Sequence, residues 1–149
     1  MNSINVIYGD TAFKLDTKHF KIPKNRSNPK YRMPFCHQSV FVKTSLLKKY
    51  HFDTNFRICA DNEFFTKLYN QGCGFYQAPL IVSVYDAYGV SSKPSWQFFK
   101  EELRIGTRYN RLYILPLSAK YIIILIKYTI KSLLPHKFSL KIQSIYNAK

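Results

Sequence analysis

Short apolar runs alternate with amphipathic stretches along this chain. Ile4 to Tyr8 is an apolar run closed by Gly9-Asp10 and predicts a strand and turn. Ser39 to Val42 predicts a second short strand. Thr44 or Ser45 can cap a brief helix through Lys49 that turns Leu46, Leu47 and Tyr50 inward. The clearest helix runs from Asp61 to about Gln71. Phe64, Phe65, Leu68 and Tyr69 form its apolar stripe, Asp61 stands in capping position and Gly72 ends it. Phe75 to Tyr85 predicts a strand centred on Leu80-Ile81-Val82, with Pro79 at its start or on an edge. Gly89 to Ser92 reads as a loop, after which Ser95 caps a helix of about Trp96 to Arg111, where Glu101 and Arg104 can pair. No internal repeat is found. Strands interleaved with helices predict an α/β layer arrangement.

Two stretches depart from that rhythm. Residues 17 to 34 are basic and rich in Pro and Asn, and read as a long functional or mobile loop. Ser118 to Leu134 is mostly Ile, Leu and Tyr, with Lys120, Lys127 and Lys131 spaced seven and four apart. At about 100° per residue the lysines share one helical stripe. Pro135 should stop this helix. Its length of roughly 25 Å falls short of a bilayer core, and the lysines interrupt it. Lying in a membrane interface fits better than spanning; packing on the domain's own core is the other reading. The Ile run also has strong β propensity.

Charge strengthens the anionic-surface reading. The chain of 149 residues carries a formal net charge of +15, and no acid follows Glu102. Its Tyr and Phe content supplies core area and argues against disorder. The length suffices for one ordinary domain. Cys36, Cys59 and Cys73 are odd in number and unpaired in pattern, which predicts free buried thiols in a reducing compartment and no zinc site. The residues from Met1 to Val6 do not read as a signal peptide, so a cytoplasmic location, peripheral on the membrane's inner face, is expected.

Candidate chemistry is confined to two clusters. In Ile58-Cys59-Ala60-Asp61-Asn62-Glu63-Phe64-Phe65 an acid stands where a helix should begin. A carboxylate fixed there can serve as a general base, or it can simply cap the helix. Glu63 is two residues on and points about 200° away, which disfavours a paired-carboxylate glycosidase site. Met33-Pro34-Phe35-Cys36-His37-Gln38-Ser39 supplies the second cluster, in which His37 beside Gln38 could bind a sugar hydroxyl, a phosphate oxygen or a metal, or be structural. His19, His51 and His136 offer no partner pattern.

The order of these segments, with Tyr8-Gly9-Asp10 ahead, Phe52-Asp53 between and Gly89-Val90-Ser91-Ser92 behind, resembles bacterial family 2 glycosyltransferases of the GT-A fold. It is closest to those that build cell-surface polysaccharide, over roughly residues 4 to 110. The resemblance implies a partial GT-A-like mixed sheet with flanking helices in residues 1 to 115, and a basic amphipathic helical tail in 116 to 149. It implies inverting sugar transfer with Asp61 as catalytic base and His37 and Gln38 near the acceptor and diphosphate. Nucleotide sugar and a saccharide or lipid-linked acceptor would be the substrates. Such enzymes hold Mg²⁺ or Mn²⁺ on a DxD motif. This chain contains no Asp-x-Asp, so no cofactor is expected within it, and the expectation is an acceptor-side part needing a complementing N-terminal half. The alternative is a non-catalytic basic protein that binds an anionic membrane surface or nucleic acid; nucleic acid is disfavoured because the basic tail is interleaved with Ile and Leu. A partial fold should also expose sheet edge and apolar surface and dissolve poorly.

Overall fold

A computed structural model describes residues 3–14, 20–23, 27–86 and 95–133. Four strands and four α-helices follow in the order β1 (Ile4–Lys14), β2 (Phe20–Lys21), β3 (Val40–Val42), α1 (Thr44–Tyr50), α2 (Ala60–Asn70), β4 (Gly74–Asp86), α3 (Trp96–Tyr109) and α4 (Ile114–Leu133). Short 3-10 turns at His37–Ser39 and Arg111–Tyr113 lead into β3 and α4. The class is mixed α/β.

β1 organises a mixed sheet. β4 runs parallel to it along its whole length, while β3 and β2 pair antiparallel with its first and last parts on the other edge. The expected turn at Gly9-Asp10 is absent, and the strand continues to Lys14. The irregularity lies in its partner. Tyr8 pairs with Gln77 and Asp10 with Ile81, so the residues around Pro79 bulge out of register, as a residue without an N–H requires.

α2 crosses one face of this sheet. Val6, Phe35, Phe64, Phe65 and Leu68 form a buried cluster, and Val42 and Phe75, both paired to Val6, pack against it. The Phe35 ring meets Tyr8, Phe65 and Phe75. Gly72 follows α2 with φ 79°, a left-handed conformation that favours glycine, and the Cys73 N–H returns to Leu68 O. On the opposite face Phe41, Ile7 and Tyr76 sit side by side in register and all are exposed. That uncovered apolar row matches the exposure expected from the sequence.

α3 and α4 make a second layer. The Ser95 hydroxyl accepts from the Phe98 N–H, the expected cap. Phe56, Cys59 and Ile105 form a small core between the α2 entry and α3. A Cβ at Gly106 would run into the Tyr113 ring, so the glycine makes room for that ring against α3 at the turn into α4. α4 begins four residues before its expected start and is helical through the Ile run. Among its described side chains only Leu117 and Tyr121 are buried; Phe99 meets Tyr121 edge-on at 4.6 Å. The expected stop at Pro135, the loop Gly89 to Ser92, His19 and His136 lie outside the described residues.

Candidate functional site

The two chemically suggestive clusters meet. His37 Nδ1 lies 3.1 Å from Asp61 Oδ2, at the surface, with the imidazole more exposed than the carboxylate. Gln38 is exposed and makes no hydrogen bond among the described residues. His37 and Asp61 thus form a pair, with Gln38 beside it in the chain.

The turn under His37 is fixed by hydroxyls. The fully buried Ser39 Oγ lies 2.5 Å from Thr11 Oγ1 and 2.6 Å from Ser83 Oγ. β1, β4 and the turn are thereby tied at one point. Such a buried network is rigid because each hydroxyl can both donate and accept.

Asp61 is not the cap expected from its position. The helix begins at Ala60, and the N-cap is Cys59, whose side chain makes no capping bond. Asp61 stands inside the first turn, where one oxygen accepts the Asn62 N–H at 2.7 Å and the other faces His37. A carboxylate from a distant helix instead ties down the backbone that leads into α2. Glu101 of α3 accepts the N–H groups of Arg57, Ile58 and Cys59 at 3.1, 2.9 and 2.8 Å, and the Gln97 amide at 2.6 Å. Burial alone would push the Glu101 carboxyl up; these hydrogen bonds outweigh it and hold it below its ordinary value. The pairing of Glu101 with Arg104 expected from spacing does not form, and Arg104 lies over the Phe56 ring at 4.9 Å.

Asn62 locks the other cluster. Its Oδ1 accepts the Met33 N–H at 2.9 Å, so one helical turn holds both the segment leading to His37 and the carboxylate that His37 meets. Glu63 points inward, as its spacing from Asp61 requires, and bonds Arg108 at 2.6 Å.

Beside α2 lies a second carboxylate hub. Glu102, only 1 % exposed, binds Arg32 at 2.6 Å and Lys120 at 3.4 Å through one oxygen. Burial, aided by Arg32, lowers the Lys120 pKa against the attraction of Glu102. Lys120 is therefore not a free member of the lysine stripe on α4. Cys59 sits between these acids: burial first, then Glu101, Glu102 and Asp61, pushes its thiol up to about 12, so it stays protonated and unreactive. All three cysteines are free.

Among the described residues no group of three or more His, Cys, Asp or Glu side chains could hold a metal ion. What the pair offers is proton chemistry: a carboxylate and an imidazole in contact at the surface can take a proton from a hydroxyl placed beside them.

Thr11, Ser83, Glu101 and the Glu102 hub escaped sequence reasoning, because the partners that define them lie 18 to 72 positions away and no spacing rule spans that range. Compared with known families, curated proteins and solved structures, the chain gives no match in any of the three.

Proposed function

We propose that His37 and Asp61 form the acceptor side of an inverting glycosyltransferase site that works in surface-polysaccharide synthesis. The observation that carries this reading is the 3.1 Å contact between His37 and Asp61, drawn from segments 24 residues apart that the family resemblance singles out together. Asp61 takes the proton from the acceptor hydroxyl as that oxygen attacks the sugar's anomeric carbon; the bond from that carbon to the diphosphate oxygen breaks on the opposite side and the nucleoside diphosphate leaves. His37 holds one carboxylate oxygen in place, and Gln38 faces the acceptor. The nucleotide-sugar diphosphate and its metal are held by a donor-binding part other than these residues.

Complementation tests this. The chain is combined with a donor-binding domain bearing a DxD motif, and sugar transfer is followed with labelled nucleotide sugar. Asp61→Asn is expected to lower transfer about 10²- to 10⁴-fold, the range of a lost general base. Full transfer by that variant removes Asp61 from the role. Tight binding of a nucleotide sugar with Mn²⁺ by this chain alone, read by calorimetry, contradicts the separate donor site.

The second reading, a protein that binds an anionic surface without catalysis, is favoured by one observation: the uncovered face of α4.

A further inference from the structure

α4 has two dissimilar sides. Leu117 and Tyr121 face α3 and are buried. Leu115, Ile122 and Ile126 lie on the opposite side within an arc of about 40°, with Ile123 and Ile130 next to them. All five are more than half exposed. The apolar surface continues onto α3 across an open groove of about 290 Å³ lined by Trp96, Phe99, Tyr121, Ile122 and Leu125. Trp96 is 67 % exposed and carries Lys100 at 5.3 Å from its ring. No single-domain core requires so large an uncovered apolar strip.

The charges around the strip identify its occupant. Lys127 and Arg111 are exposed on or beside α4. Glu102, the acid that α4 meets through Lys120, is buried and already bound to Arg32 and Lys120. The whole chain carries +15. An apolar strip bordered by cations and lacking acids complements a layer that is anionic outside and hydrocarbon beneath. It repels a second copy of itself.

We propose that α4 and Trp96 dock this protein flat on a bilayer surface containing anionic lipid, independently of the glycosyl-transfer reading. The helix of 20 residues is long and apolar enough to cross a membrane. Crossing, however, would strip Lys120 from Glu102, unpack Leu117 and Tyr121 from α3 and carry Lys127 into hydrocarbon, all costly steps. Lying flat keeps those contacts and buries the free side only.

Trp96 is the single tryptophan, so its fluorescence reads this face directly. The full chain is mixed with vesicles of phosphatidylcholine, alone or with phosphatidylglycerol. Flotation with a blue shift of Trp96 emission is expected only with phosphatidylglycerol, weakening as salt is raised. Ile122→Glu with Ile126→Glu is expected to lower partitioning at least about 100-fold. Leu115→Ser with Ile130→Ser, a milder change on the same face, is expected to reproduce the loss with an unchanged circular dichroism spectrum. Phe41→Glu, on the exposed sheet face, should leave partitioning unaltered. Equal partitioning onto neutral vesicles, or parental partitioning by both α4 variants, overturns the proposal. So does resistance to carbonate extraction, which would indicate a span. A dimer that the α4 variants abolish, without vesicle binding by the parent, would assign the face to a second copy and likewise overturn it.

Discussion

α2 and α4 are both helices rich in large apolar side chains, yet they occupy opposite situations. α2 has six buried residues within a single span of eleven, and two of its buried polar members, Asn62 and Glu63, are bonded to distant parts of the chain. α4 is nearly twice as long, and among its described side chains two are buried. Hydrophobicity alone therefore did not decide burial. What distinguishes them is neighbours on several sides: α2 lies between the sheet, the segment 27–36 and α3, whereas α4 touches α3 along one strip.

The largest expected effect comes from the crowded helix. Phe64→Ala should destabilise the fold by about 3–5 kcal/mol in denaturant unfolding, since its ring is fully buried among Phe52 and Phe65. Replacing both Arg32 and Lys120 by Met should cost about 3 kcal/mol, because the buried Glu102 carboxylate is left without its cations. Glu101→Gln should cost about 2 kcal/mol through weakened bonds to three backbone N–H groups ahead of α2. That difference carries a pH signature. The folded-state pKa of Glu101 is depressed, so its contribution is complete above the unfolded carboxyl value of about 4.3. It fades as pH falls through the lower folded value, and the gap between parent and Glu101→Gln should close below about pH 4. Ile126→Ala should change stability in solution by less than about 0.5 kcal/mol. A loss as large as that of Phe64→Ala would show that α4 is covered in solution, and the contrast between the helices would fall.

Local pattern foretold much of this layout. The Phe64, Phe65, Leu68 stripe, the Ser95 cap and the strand after Gly72 follow from periodicity and turn chemistry, which act within a few residues. The placement of Asp61 shows the limit of such reasoning. Its position invited a capping role, but Glu101, forty residues further on, fixes the chain ahead so that the helix begins at Ala60 and Asp61, inside the first turn, faces His37. Likewise the lysines predicted to share one stripe of α4 looked alike in sequence, while tertiary packing gave Lys120 to Glu102. The Gly9-Asp10 turn failed because β4 supplied a full-length parallel partner that carried β1 through it. Each departure comes from a contact between distant segments, where spacing carries no signal.

The Glu102 hub has a consequence for the order of assembly. During synthesis Arg32 emerges first, Glu102 follows, and Lys120 arrives last. Until α4 is seated, the carboxylate has a single cation, so final charge closure waits for the last described helix. Any event that later lifts α4 away reverses that step and opens the interior to water at Glu102. Seating that helix therefore completes two things at once, the apolar contact of Leu117 and Tyr121 and the charge pairing of Glu102.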